Sequence, residues 1–303
     1  MQGIGTREDD FVEHLHITNS HDYIMFFTNK GKVYRLKGYE IPDLSRTAKG
    51  TPIINLIQIE KGEHISAVIP VKEYGQDQYL FFATKQGVVK KTELSAYENV
   101  RKGGLFAINL REDDEVIGVR LTDGNQEIIM GTKKGMSVRF REGDVRTMGR
   151  SATGVKGITL DPDDEVIDMD VVKEQADVLI VTANGYGKRT PIDEYRLQGR
   201  GGKGIKTHHV TERSGHVVGL KVVEPDEDLM IVTTTGIIIR LEVKGISTMG
   251  RYTQGVKLIR LAEGEEVGSV AKVAASEDDD REPSEPVTTE DQQSDEEADP
   301  NES

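Results

Sequence analysis

Basic residues recur at fixed distances from glycines along this sequence. Arg35, Lys91, Arg139, Arg189 and Arg240 each lie four residues after the glycine of a Thr-x-x-Gly tetrad. Arg46, Arg150, Arg200 and Arg251 each precede a second glycine by four residues; the second repeat has Val100 there, with Arg101 and Lys102 beside it. Lys156, Lys206 and Lys257 follow that second glycine by two. Lys49, Lys90 and Lys188 adjoin these columns. Such cations break no bonds, but they can neutralise a polyanion. Each phosphate neutralised releases condensed counterion, so affinity comes from backbone contacts without reading bases. One surface base is an ordinary solvated side chain, whereas a base at one offset in five successive repeats is expected to form a stripe. Charge reversal at Arg139, Arg189 and Arg240 together is expected to weaken such binding and flatten its salt dependence.

The loop at 198–204 reads "QGRGGKG": Gln198, Gly199, Arg200, Gly201, Gly202, Lys203 and Gly204. Its G-x-G-x-x-G spacing is followed by "IKTHHVTERSGHVVGL", which is strand-like, so the dinucleotide reading fails for want of a helix. No phosphate-loop lysine motif occurs either. Two readings stand. Exposed backbone N–H groups could join Arg200 and Lys203 on phosphates, or the loop is a strand crossing that needs glycine for its backbone.

Other residues carry less. His14 and His16 share a strand face but lack a third ligand of evident spacing, so no metal site is expected. His208 and His209 point to opposite faces. Asp113–Asp114 and Asp163–Asp164 fall at one repeat offset and read as turn formers, not an acid/base pair. No catalytic residues are assigned. The absence of cysteine excludes disulfides, Cys-ligated zinc and a thiol nucleophile. No apolar run reaches membrane-spanning length and no apolar signal core begins the chain, so a cytoplasmic protein with no membrane partner is expected.

These residues must be positioned by a repeat. Thr-x-x-Gly occurs at Thr28, Thr84, Thr132, Thr182 and Thr233, each after a short apolar run; the glycines are 56, 48, 50 and 51 residues apart. In the repeat at 128–172, "TKKG" reads as a tight turn. "MSVRF" alternates, with Met136, Val138 and Phe140 on one face and Ser137 and Arg139 on the other. "VKGITL" and "VIDMDVV" read as two further strands. Four strands in about 50 residues describe a propeller blade that needs neighbours on both faces. The expected fold is all-β, a propeller-like ring of four-stranded blades with almost no helix. It comprises a partial N-terminal blade at 1–22 and repeats at about 23–72, 79–122, 128–172, 178–223 and 229–273. Residues 2–19 match 203–220, so the chain opens inside a blade. Either a strand from the far end closes the ring, or Met1 is a fragment boundary, the expectation favoured here.

Net charge is −14, but residues 274–303 hold 13 acids against Arg281, leaving only −2 for residues 1–273. With almost no apolar residues, that acidic tail is expected to be disordered. It either solubilises the chain or competes with nucleic acid for the basic columns.

Residues 2–273 resemble the C-terminal domain of the bacterial DNA gyrase A protein. "GTREDDFVEHL", "FFTNKGKVYRLKGYEIP", "GRSATGVKGITL", "NGYGKRTPIDEYR", "RGGKGIKT" and "LMIVTTTGIIIRL" carry the resemblance. It implies a β-pinwheel, a propeller relative whose blades exchange strands. It also implies a domain that wraps duplex DNA around a basic rim, independently of sequence, to present the transported segment for ATP-dependent negative supercoiling. The implied partners are the rest of the gyrase A protein and the gyrase B protein in an A2B2 holoenzyme, at the bacterial nucleoid. The cleavage tyrosine, ATP and Mg would belong elsewhere in that holoenzyme, so no cofactor and no enzyme activity are expected of this chain alone. The family's Q-R-R-G-G-K-G box would fall just before Met1. The loop at 198–204 is a degenerate later copy, with Gly199 in place of the first arginine. Loss of the first-blade box impairs wrapping in the family, so this chain is expected to bind DNA yet to wrap it less fully than a domain that carries the box. The alternatives weighed are the equivalent domain of topoisomerase IV and a propeller that binds proteins.

Overall fold

The computed structural model describes residues 18–45 and 50–274. The N-terminal partial repeat up to 17, with His14 and His16, lies outside them, as do Arg46, Lys49 and the acidic tail from 275.

Each blade starts from the Thr-x-x-Gly turn. In the third blade Gly135 N–H donates to the Thr132 carbonyl at 3.0 Å, and the Thr132 hydroxyl accepts from Met136 N–H at 3.1 Å. Gly135 has φ +83°, a backbone that L side chains rarely adopt. The turn joins strands Glu127–Thr132 and Met136–Arg141, and the chain returns to pair Val166–Val171 against the first of them. The fourth strand, Ile205–Lys206, comes from the next repeat and pairs with Met136 and Ser137.

That exchange recurs. The first blade orders Ile65–Val71, Tyr23–Thr28, Lys32–Lys37 and the borrowed Leu105–Phe106. The second orders Val116–Thr122, Tyr79–Thr84, Val88–Glu93 and the borrowed Val155–Lys156. The fourth orders Val217–Val223, Asp177–Thr182, Tyr186–Pro191 and the borrowed Val256–Lys257. The fifth blade, Ile238–Glu242, Glu227–Thr233 and Val267–Ala274, has three strands among the described residues. The fold is thus all-β, its only described helices being six single 3-10 turns. "VKGITL" differs from the expectation: only Val155–Lys156 is strand, and it serves the preceding blade.

Cores lie between blades. Phe27 of the first meets Phe82 of the second edge-on at 5.6 Å, and Phe81 of the second packs with Phe140 of the third. Middle strands are therefore apolar on both sides, as the runs "LFFAT" and "VLIVT" reflect. Ser137, expected on a polar face, is fully buried because the borrowed Ile205–Lys206 covers it.

The inner strands line a central channel of about 730 Å³. There Arg120 pairs with Asp170 at 3.2 Å, Lys221 with Asp168 at 2.8 Å and Lys272 with Asp170 at 3.5 Å. Asp168 and Asp170 also accept Leu220 and Val222 N–H across the blade boundary. Burial pushes the Asp170 carboxyl up, but Arg120, Lys272 and Lys221 outweigh it and hold the group at about 2. The channel is a charged seam joining neighbouring blades.

Candidate nucleic-acid interface

The three basic columns have different fates. In the first, each base from Arg35 to Arg189 reaches the single 3-10 turn of the following blade. Arg35 stacks on Tyr23 at 4.4 Å and donates to the Glu98 carbonyl. Lys91 donates to the Glu142 carbonyl at 3.3 Å. Arg139 donates to the carbonyls of Ile192 and Tyr195, both at 3.0 Å, and Arg189 to that of Ile246 at 2.8 Å. Each base also has an own-blade partner twelve residues upstream. This is Tyr23 for Arg35 and Tyr79 for Lys91, then Glu127 for Arg139, Asp177 for Arg189 and Asp228 for Arg240. Lys91 is buried, and the Arg139 and Arg189 side chains keep only 18 % and 13 % of their exposure. The expectation that this column forms an outward stripe is corrected. From Arg35 to Arg189 it is a blade-to-blade latch, because hydrogen bonding to carbonyls and pairing with carboxylates satisfies a guanidinium when strand packing covers it.

Lys90 and Lys188 also leave the interface. Both are fully buried. Lys188 donates to the carbonyls of Gly250, Arg251 and Thr253 at 2.7–3.0 Å, and Lys90 to that of Ala107 at 2.6 Å and that of Arg150. Burial pulls the Lys90 ammonium down to about 7, with Arg150 adding to it, and pulls Lys188 down to about 8. These lysines anchor the loops that carry Arg150 and Arg251; they cannot reach a ligand outside.

The second column is half-buried and braces the perimeter. Arg200 donates to the carbonyls of Asp144 at 2.9 Å and Lys156 at 3.0 Å, and Arg251 to that of Lys206 at 2.9 Å. Each arginine thus ties its loop to the borrowed strand one blade back. Arg150 is half-buried, whereas Arg101 and Lys102, which replace this column in the second repeat, are exposed.

The third column faces out. All four borrowed strands are two residues long, the first half-buried and the second exposed. The exposed residue is Phe106, Lys156, Lys206 or Lys257. Neither the Lys156 nor the Lys206 ammonium has a protein acceptor among the described residues, and Lys257 stands 5.7 Å from the Tyr186 ring. One backbone register therefore repeats one outward position around the blades. A family model, "DNA gyrase C-terminal domain, beta-propeller", matches residues 22–72, 78–123, 126–173, 176–224 and 227–274, one stretch to each repeat.

The chain belongs to the DNA gyrase C-terminal domain family. It is 71% identical over 279 residues to the DNA gyrase A protein of Halalkalibacterium halodurans, covering 92% of this chain and 34% of that protein. The chain thus spans about a third of the length of the curated relatives it matches. A solved C-terminal domain of DNA topoisomerase IV superposes with TM-score 0.81 at 29% identity, covering 90% of this chain and 86% of that one. A solved DNA gyrase A C-terminal domain superposes with TM-score 0.74 at 27% identity, covering 89% and 92%.

In this member of the gyrase family the box-like loop is a strand crossing. Gly204 has φ +77°, and a Cβ there would lie 2.1 Å from the Ser137 carbonyl oxygen, so only glycine lets the chain pass onto the third blade. Gln198 N–H donates to the Arg139 carbonyl and Gly201 N–H to that of Gly157, while Thr159 donates to the carbonyls of both Gly201 and Gly202. The Gly201 N–H is therefore not available to an anion. Lys203, with a 73 % exposed side chain and a surface pairing to Asp161 at 3.3 Å, is the cation the loop presents.

The remaining candidates read as structure. Asp113 and Asp163 take φ near +60° in turns, while the Asp114 and Asp164 carboxylates accept the Gln86 and Lys134 N–H groups of the neighbouring Thr-x-x-Gly turns. His208 is buried and His209 exposed. Among the described residues, no group of three or more His, Asp or Glu could hold a metal, and no helix is long and apolar enough to cross a membrane.

Proposed function

We propose that this chain is the non-catalytic DNA-binding and DNA-wrapping domain of a bacterial gyrase A protein. The carrying observation is the shared register of the borrowed strands, three of which present an exposed lysine, with Arg101, Lys102 and Lys203 on adjoining loops. Flexible ammoniums on a rim suit phosphates, so binding is sequence-independent. Bending a 20–30 bp duplex costs on the order of 1–6 kcal/mol, which several such contacts offset. In this reading the domain presents a bent segment for ATP-dependent supercoiling. Cleavage, ATP and Mg chemistry belong to the rest of the gyrase A protein and to the gyrase B protein of an A2B2 holoenzyme in the bacterial cytoplasm, at the nucleoid. The high-identity relative favours gyrase over topoisomerase IV, whose domain shares the fold.

The test has two steps. Duplex binding is followed by anisotropy across a salt series, and a nicked plasmid is then ligated with the chain bound. The reading expects affinity that falls linearly in log–log form with salt, together with a shifted topoisomer distribution. Salt-insensitive behaviour, or no binding at all, would refute it. Binding with an unshifted distribution would refute wrapping and leave only the DNA contact.

A further inference from the structure

Phe106 occupies the register position that holds lysine in the three other borrowed strands, and the residue is 63 % exposed. It pairs in register with Lys32, whose ammonium lies 5.5 Å from the ring centroid. Arg101 and Lys102, both exposed, stand in the loop that leads into the same strand. The second repeat thus presents two cations beside an outward ring, at the strand position where the three other borrowed strands present a lysine. Keeping a phenylalanine ring in water forgoes the burial that stabilises it elsewhere. A phosphate backbone offers such a ring nothing. A duplex offers apolar surface to a rim-mounted ring where a base step opens.

Accepting the reading of the rim as a DNA contact, we infer that Phe106 is a wedge that enters a base step and kinks the duplex there, with Arg101 and Lys102 holding the flanking phosphates. Aromatic and aliphatic wedges unstack steps and bend DNA by roughly 20–90°. A kink at one blade concentrates the bend at a flexible step, while Lys156, Lys206 and Lys257 hold the smoother remainder.

The experiment uses the 303-residue chain and duplexes carrying 2-aminopurine at one of several pyrimidine–purine steps. With wild type bound, fluorescence at one or more steps rises severalfold, and Phe106→Leu keeps the rise because a branched aliphatic group still wedges. Phe106→Ala and Phe106→Lys leave the signal at the free-duplex level while binding persists. The salt slope stays unchanged for F106A and steepens by about 0.9 for F106K. Equal fluorescence for wild type and F106A, or no rise at any step under saturating wild type, overturns the wedge. Failure of wild type to bind duplex would instead remove the underlying DNA reading, so the two failures are distinct.

Discussion

His208 is the residue whose chemistry least suits its surroundings. The equivalent positions in three other repeats hold Ile108, Ile158 and Ile259, all buried. The His208 ring is also fully buried, and neither of its nitrogens has a hydrogen-bond partner among the described residues. Burial, with help from Lys188 and His209, pulls its pKa down from 6.5 to about 4. The folded state therefore holds it neutral while the unfolded chain protonates it near 6.5. Stability is full above that value and is lost as pH falls through the window down to the folded value, by up to about 3 kcal/mol. His208→Ile is expected to remove this acid limb and raise stability at about pH 5 by roughly 2 kcal/mol, read from urea midpoints at about pH 5 and pH 7.5. An unchanged pH dependence in the variant would mean the ring is solvated and titrates normally.

Among the elements, the first basic column and the borrowed strands divide the work. Arg139 and Arg189 hold one blade against the 3-10 turn of the next; the borrowed strands hold the outward lysines. Arg189→Ala should cost roughly 2–4 kcal/mol, since it leaves Asp177 unpaired and two carbonyls of the fifth blade without donors. Duplex affinity measured well below the lowered melting temperature should stay within about twofold. A tenfold loss of affinity without loss of stability would put Arg189 on the interface after all. Much of this architecture was legible. The Thr-x-x-Gly spacing revealed the turns, and the apolar runs before each threonine revealed the middle strands. The direction of the first column was not legible by alternation, because strands sandwiched between blades are covered on both faces, as Ser137 shows. A second periodicity did carry that information: Tyr23, Tyr79, Glu127, Asp177 and Asp228 all lie twelve residues before the column bases. Three acids at that offset mark Arg139, Arg189 and Arg240 as paired. Lys90 and Lys188 gave no such warning, since their partners are carbonyls distant in sequence. The resemblance to a β-pinwheel, not periodicity, pointed to strand exchange.

For the whole molecule, charge is segregated along the chain. Residues 1–273 are near neutrality at −2, and residues 274–303 carry −12. So acidic a segment, tethered to the end of the Val267–Ala274 strand, would compete with DNA for Lys156, Lys206, Lys257 and their neighbours, most strongly where screening is weak. Removal of residues 275–303 is expected to tighten duplex binding at low salt, with the difference shrinking as salt rises. Equal affinity across the titration would assign the tail to solubility alone. The most direct test of the outward register itself is the salt dependence of Lys156→Gln/Lys206→Gln/Lys257→Gln measured beside wild type. Loss of three phosphate contacts should lower the log–log slope by about 2.7, uniformly across DNA sequences and with the melting temperature unchanged. A slope equal to that of wild type would contradict the assignment of the borrowed strands as the surface that meets DNA.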